Sequence, residues 1–142
     1  MTNTATTTKR TPQGTLILPC DVCGKAVIGR TGYVCVSYDA IHEHERQVEE
    51  WEHSDGVQDI GWGKVITGDA LFDYPKAAPW RIYHADCDPQ PGSNDYSIGV
   101  KSCSTYADLL ARTAHLLGKS WLESTDWDDF LYRVLAVNGY GR

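Results

Sequence analysis

Apolar positions along this chain fall into short strand-like runs and longer stretches with the period of a helix. Residues 15–18 and 33–37 are rich in side chains that favour β-structure, and they predict two strands of a hairpin. Residues 80–83 and 95–102 alternate apolar and polar positions, which predicts two more strands that pair with each other. The pattern therefore predicts a small antiparallel sheet.

A central helix is predicted between the second and third strands. Asp39 is a candidate N-cap, and we expect the helix to end near His53. Three apolar residues recur on one side of it at helical spacing, namely Ile41, Val48 and Trp51. Most of its other positions are Glu or His, so the rest of this helix is expected to be acidic and solvated.

Two further helices are predicted towards the C-terminus. Thr105 and Asp108 form a capping box ahead of an apolar stripe that consists of Ala107, Leu110, Ala111, Ala114 and Leu117. Thr125 and Asp128 repeat the capping pattern ahead of a second apolar run, which consists of Phe130, Leu131, Val134 and Leu135. We expect the two helices to form a hairpin that covers one face of the sheet.

The remaining segments lack such patterns. Residues 1–13 are rich in threonine and nearly devoid of large apolar side chains, so we expect a disordered tail there. Residues 54–79 hold several glycines and two prolines without periodicity, which favours a long loop or an insertion. Because 42% of the 142 residues are apolar, the chain can bury one core. The sequence predicts a single α+β domain over residues 14–142.

The strongest chemical signal is a pair of matched spacings. Two residues separate Cys20 from Cys23, and two residues separate His84 from Cys87. Three thiolates and one imidazole complete a tetrahedral zinc site with no position left for water, which is typical of a structural zinc. Gly24 can adopt the left-handed conformation that directs amide groups towards sulfur. We therefore predict one structural Zn²⁺ bound by these four ligands.

An alternative is that Cys20 and Cys23 are ordinary thiols or a redox pair, with His84 as a hydrogen-bonded strand histidine. A redox pair is typical of the start of a helix in a βαβ unit, whereas the surroundings here are rich in β-structure. The other two cysteines, Cys35 and Cys103, are expected to be small buried side chains. We find no membrane-spanning run and no signal peptide, so we expect a cytoplasmic protein.

The charge of the chain bears on its partners. The formal net charge is −6, and the Lys and Arg residues are scattered along the sequence. Zinc modules that bind nucleic acid use clustered Lys and Arg to contact phosphate. A nucleic-acid-binding zinc regulator is therefore an alternative function that the charge disfavours.

Two other features suggest binding or catalysis. Four residues share one face of the central helix and could build a second metal site: His42, Glu45, Glu49 and His53. A solvated acidic face is the simpler interpretation of the same residues. Trp62 lies between Gly61 and Gly63 in a segment without regular apolar neighbours. It is a candidate partner contact, with a role as a loop anchor as the alternative. The glycines around it do not follow the pattern of a phosphate loop, so we expect a turn.

The ligand pairs belong to a longer pattern. A Cys-x-x-Cys-Gly turn is followed by a Gly-Tyr-Val strand, an acidic helix and the segment Trp-Arg-Ile-Tyr-His-Ala-Asp-Cys-Asp-Pro. Over residues 15–137 this order resembles a group of small uncharacterised proteins of actinobacteria and their phages, whose core is similar to zinc ribbons and treble clefs. The resemblance implies the zinc site and a phage or mobile-element origin, and it implies no activity.

The expected function is a non-enzymatic, zinc-stabilised regulatory module that acts through protein–protein interaction. The sequence offers no combination of nucleophile, base and oxyanion donors that would indicate catalysis. Besides the nucleic-acid regulator, the remaining alternative is a metal-dependent hydrolase or nuclease that uses the His42 to His53 helix face.

Overall fold

The computed structural model describes residues 15–140, and the tail predicted over residues 1–13 lies outside them. The described residues form five strands and four helices, which confirms the predicted α+β class. The strands are β1 (Gly32–Ser37), β2 (Val57–Asp59), β3 (Lys64–Ile66), β4 (Arg81–His84) and β5 (Asp95–Gly99). The helices are α1 (Tyr38–Glu52), α2 (Gly68–Phe72), α3 (Tyr106–Leu116) and α4 (Trp127–Val137). None of these four helices is long and apolar enough to cross a membrane.

A three-stranded antiparallel sheet in the order β4-β1-β5 forms the centre of the fold. The central strand β1 buries Val34, Cys35 and Val36 in succession, as expected for a strand covered on both faces. Val34 pairs with Ile82 of β4 and with Ile98 of β5. The prediction that the third and fourth strands pair with each other is therefore wrong, because β1 lies between them.

Residues 15–18 do not form the predicted strand, and the hairpin predicted between them and β1 is also wrong. Thr15 forms an isolated bridge with Thr105, and Pro19, directly after the segment, forms one with Ala26. Both edges of β1 are already paired with β4 and β5, so no backbone groups of β1 remain for a third partner.

The central helix α1 is confirmed, although it begins earlier than predicted. Ser37 rather than Asp39 is the N-cap, since the Ser37 hydroxyl accepts a backbone N–H from the first turn at 3.1 Å. The helix ends at its C-cap His53, as expected. Ile41 is buried, and so is His44, a polar residue that the apolar pattern did not include.

Residues 54–79, which we call the insertion, are more ordered than the predicted loop. They form the antiparallel hairpin of β2 and β3 and the short helix α2. Trp51 connects α1 to the insertion: its indole N–H donates to the carbonyl of Ala70 at 2.7 Å, and its ring packs edge-to-face on Tyr74. Strands of three residues and a helix of five are too short to show a period in the sequence.

Helix α3 lies where it was predicted, but it buries a different side. Thr105 caps it as expected. In the predicted apolar stripe, Leu110 and Leu117 are 72% and 71% exposed, whereas Leu109 and Leu116 are buried. The stripe was wrong because two pairs of adjacent leucines create two apolar stripes one residue apart, and spacing alone does not choose between them.

Helix α4 and the sheet share one core rich in aromatic rings. The N-cap of α4 is Asp126 rather than the predicted Thr125. The Asp126 carboxylate accepts a hydrogen bond from the backbone N–H of Trp80 at 2.8 Å. The Trp80 ring lies 4.8 Å from the ring of Trp127 and 6.4 Å from that of Phe130, measured between centroids. The indole N–H of Trp127 donates to Thr113 of α3 at 3.1 Å. These contacts hold both C-terminal helices on the sheet.

Candidate metal centre

The two predicted ligand pairs come together in space. The ligand atoms of Cys20, Cys23, His84 and Cys87 all lie within 4.8 Å of one another. Nδ1 of His84 is 3.3 Å from Sγ of Cys23 and 3.8 Å from Sγ of Cys87. Within residues 15–140, no other group of three or more His, Cys, Asp or Glu side chains converges in this way. These four residues can therefore hold a metal ion.

The first pair lies in a tight turn. The backbone N–H of Cys20 donates to the carbonyl of Lys25 at 2.8 Å, and the N–H of Gly24 donates to the carbonyl of Cys20 at 2.9 Å. Gly24 has a φ of +78°, the left-handed conformation that its position predicted. The N–H of Val22 points at Sγ of Cys20 at 3.4 Å. The turn thus brings Cys23 and Cys20 within reach of one ion.

The second pair is held against the central strand. His84 is the last residue of β4, and Cys87 ends the 3₁₀ turn that follows it. Asp88, directly after Cys87, accepts a hydrogen bond from the hydroxyl of Tyr33 in β1. The turn that carries the second pair is therefore fixed to the centre of the sheet.

Gly32 allows β1 to approach β4 closely next to His84. Gly32 is the β1 residue that pairs with His84. A Cβ at this position would lie 2.1 Å from the carbonyl oxygen of Tyr83 and 2.5 Å from a methyl group of Val27. Any larger residue would push β4, and His84 with it, away from β1.

Asp21 joins the two ligand pairs, and the sequence pattern did not single it out. Its carboxylate accepts the backbone N–H of Ile82 at 2.7 Å, while its own N–H donates to the Ile82 carbonyl at 2.7 Å. The first turn is thereby paired with the edge of β4, and the N–H of His84 points at Sγ of Cys20 at 3.5 Å. In the sequence, Asp21 is visible only as an aspartate between the two cysteines. Its role in joining the two pairs follows from the position of β4 beside the first turn.

The hydrogen bonds of the His84 ring define its tautomer. Nε2 of His84 is 3.1 Å from the carbonyl oxygen of Ala26. A carbonyl can only accept, so we assign the ring proton to Nε2, which leaves the lone pair of Nδ1 directed at the cysteine sulfurs. Metal-bound histidines typically donate their second ring N–H to a carbonyl in this way.

The backbone favours the thiolate form of Cys20. Burial alone would raise the pKa of this thiol, but hydrogen bonds from the backbone N–H groups of Cys23, His84 and Val22 outweigh it and lower the pKa to about 6. Cys87 behaves in the opposite way, because desolvation and its contacts with the neighbouring sulfurs raise its pKa to about 11. A bound cation would offset the repulsion that keeps the sulfurs from ionising together.

The alternative metal site on α1 does not form. His42, Glu45, Glu49 and His53 are not among the converging ligand groups of residues 15–140. Nδ1 of His53 instead lies 2.8 Å from the backbone carbonyl of Glu49. These side chains form an exposed acidic face of α1, which was the simpler interpretation.

Trp62 lies in the turn between β2 and β3. The N–H of Gly61 donates to the carboxylate of Asp59 at 2.8 Å, and the N–H of Ile60 donates to the carbonyl of Gly63 at 3.0 Å, so the predicted turn is confirmed. Trp62 is 88% exposed. It therefore does not anchor the turn by burial.

No protein-family model matches this chain, and neither a curated protein nor a solved structure matches it. The resemblance to small actinobacterial and phage proteins therefore stays a prediction. The function has to be argued from the cysteine–histidine cluster and from the surface.

Proposed function

We propose that this protein is a non-enzymatic, zinc-stabilised module that binds a protein partner through its insertion. The observation that carries this proposal is a set of six large apolar side chains exposed on one short segment: Ile60, Trp62, Val65, Ile66, Leu71 and Phe72. Trp62 and Phe72 are each 88% exposed. Exposed apolar groups of this density are typical of interaction surfaces, and aromatic residues dominate the binding energy of such surfaces.

Hydrogen bonds and close packing fix the insertion internally and attach it to α1, which suits a binding surface. The N–H of Thr67 donates to the carbonyl of Gly56 at 2.9 Å, and Gly56 lies so close to Ala70 that a Cβ on it would clash at 2.5 Å. The hydrogen bond from Trp51 to Ala70 then ties this unit to α1. A surface that is already ordered loses less conformational entropy when a partner binds.

Zinc is the metal that we propose for the cysteine–histidine cluster. Tetrahedral zinc with Zn–S bonds of about 2.3 Å and Zn–N bonds of about 2.0–2.1 Å would separate sulfur from nitrogen by about 3.5 Å. The two separations measured from His84 are 3.3 Å and 3.8 Å, on either side of this value. Four protein ligands leave no open position, which favours a structural role, and reduced cysteine ligands favour the cytoplasm.

With zinc bound, we expect none of the five cysteines to react quickly with a thiol reagent such as DTNB. The metal protects the three ligands, and burial raises the pKa of Cys35 to about 12 and that of Cys103 to about 11. A chelator is expected to release all five thiols together, because the structure that buries Cys35 and Cys103 depends on the metal. Only three fast thiols after chelation would contradict a metal-dependent fold. Fast reaction before chelation would contradict ligation.

The partner surface is tested by affinity capture with the immobilised protein, followed by titration of the purified partner. We expect the double variant Trp62→Ala and Phe72→Ala to weaken binding at least about thirtyfold, as loss of hot-spot aromatic residues does. The matched control is Tyr132→Ala, which removes a 71% exposed aromatic residue from α4. The control should bind like the unaltered protein.

Two results would contradict this proposal. Equal affinity of the double variant and the control would remove the insertion from the binding surface. Capture that disappears after nuclease treatment would favour the nucleic-acid regulator, although the net charge of −6 argues against it.

A further inference from the structure

The two outer edges of the central sheet differ in their hydrogen bonding. The edge of β4 is closed, because the N–H and the carbonyl of Ile82 both bond to Asp21. Directly before β4, the N–H of Trp80 donates to the carboxylate of Asp126. The opposite edge of the sheet is β5. Unpaired backbone groups on an edge strand are a template for pairing with another chain, and proteins commonly block such edges.

The register of β5 shows which of its backbone groups face away from the sheet. The N–H of Tyr38, directly after β1, donates to the carbonyl of Asn94 at 2.9 Å, so the backbone groups of Asn94 face β1. Along an antiparallel strand, successive residues turn their backbone groups alternately towards the partner strand and away from it. Asp95, Ser97 and Gly99 therefore direct their backbone groups outwards.

Four of these outward groups have no hydrogen-bond partner within residues 15–140: the carbonyl of Asp95, the N–H and carbonyl of Ser97, and the N–H of Gly99. The other two are used locally. The N–H of Asp95 donates to the carbonyl of Ser93 at 3.0 Å, and the carbonyl of Gly99 stands at the N-cap of the following 3₁₀ turn. Ser97 and Gly99 are exposed, and a Cβ at Gly99 would meet no atom within 4 Å. The edge is thus open.

The free groups of this edge are self-complementary about Ser97. The free acceptor of Asp95 lies two residues before Ser97, and the free donor of Gly99 lies two residues after it. When two copies of β5 run antiparallel with Ser97 opposite Ser97, each Ser97 bonds to the other through both of its backbone groups. Each Gly99 N–H then reaches the Asp95 carbonyl of the other copy. The pairing uses every free group of both strands and no group that is already bonded.

We propose that β5 pairs with β5 of a second copy of this chain, which gives a symmetric dimer with one continuous sheet. The side chains permit this contact, since Ser97 is small and Asp95 lies opposite Gly99 of the second copy, which has no side chain. The two Asp95 residues are offset by four positions, about 13 Å along the strands, which exceeds the screening length of about 8 Å in physiological salt. The contact does not use the insertion, so it is independent of the proposed function.

The dimer is tested by sedimentation velocity of the full-length protein from about 1 µM to about 1 mM. We expect the sedimentation coefficient to rise reversibly from that of one chain to that of two. Hydrogen exchange measured by NMR identifies the contact. The amides of Ser97 and Gly99 should exchange at least about tenfold more slowly in the dimer than in the monomer, because the pairing removes them from water.

A charge exchange at Ser97 separates this contact from other ways of forming a dimer. Ser97→Lys and Ser97→Asp each place two like charges opposite one another, so each should raise the Kd of the dimer at least about tenfold. A mixture of the two variants should restore a mixed dimer, because opposite charges then face each other. The control Ser54→Lys adds a charge at the end of α1 far from β5, and it should change the Kd less than about twofold. Ser97 and Ser54 are both exposed, so all three variants are expected to fold.

The proposal is overturned if the protein is a monomer at every concentration, if Ser97→Lys and Ser54→Lys form dimers equally well, or if the two Ser97 variants do not pair when they are mixed. A dimer that is lost in the double variant Trp62→Ala and Phe72→Ala but kept in Ser97→Lys would also overturn it, because the contact would then lie on the insertion. Failure of the insertion to bind a partner leaves all of these results unchanged, so the two proposals fail separately.

Discussion

Replacement of Cys87 by serine is expected to abolish the cooperative thermal unfolding of this protein. A structural zinc contributes on the order of 10 kcal/mol to a small metal-dependent fold. That is as large as the whole stability of a typical domain, about 5–15 kcal/mol. The cysteine–histidine cluster lies between the first turn and β4, and β4 pairs with the central strand, so we expect loss of a bound zinc ion to destabilise the sheet as well.

The measurement combines circular dichroism melting with zinc content per chain by elemental analysis. Cys20→Ser should behave like Cys87→Ser, and a chelator should reproduce both effects in the unaltered protein. The control His42→Ala alters an exposed histidine outside the cluster, and we expect it to retain zinc and to change stability by no more than about 0.5 kcal/mol. A Cys87→Ser protein that melts cooperatively at an unchanged temperature would show that the fold stands without metal.

The four residues of the cysteine–histidine cluster could be predicted from the sequence because their signal is local. Two residues between Cys20 and Cys23, or between His84 and Cys87, are visible without any knowledge of the fold. The residue that joins the two pairs could not be predicted in this way. Asp21 matters because its carboxylate reaches Ile82, a residue 61 positions away in the sequence.

The difference between local signals and long-range contacts also explains which parts of the fold could be predicted. The positions of β1, β4 and β5 follow from composition and alternation, whereas their order in the sheet depends on which long-range pairing is most stable. The N-cap of α3 is encoded within four residues and was found. Its buried side was not found, because Leu109 and Leu110 are equally apolar and only the packing against the core decides between them.

Replacement of Trp80 by alanine is expected to lower the stability of this protein far more than replacement of Trp62 by alanine. Trp80 is fully buried, and its ring contacts Tyr96 of β5 as well as Trp127 of α4. Both backbone groups of Trp80 are hydrogen-bonded to side chains of the α4 region: the N–H donates to Asp126, and the carbonyl accepts from Arg133 at 3.1 Å. Removing this ring leaves a cavity between the sheet and α4, which typically costs about 3–5 kcal/mol.

For Trp80→Ala we therefore expect the melting temperature to fall by more than about 10 °C, and urea unfolding to give the free-energy difference directly. Trp80→Phe should cost much less than Trp80→Ala. It retains most of the apolar volume, and it also removes an indole N–H that has no hydrogen-bond acceptor among the described residues. Trp62→Ala is the opposite case, since an 88% exposed ring contributes little to the core, and its replacement should change stability by less than about 0.5 kcal/mol. A Trp80→Ala protein as stable as Trp62→Ala would mean that α4 does not depend on this aromatic core for its position on the sheet.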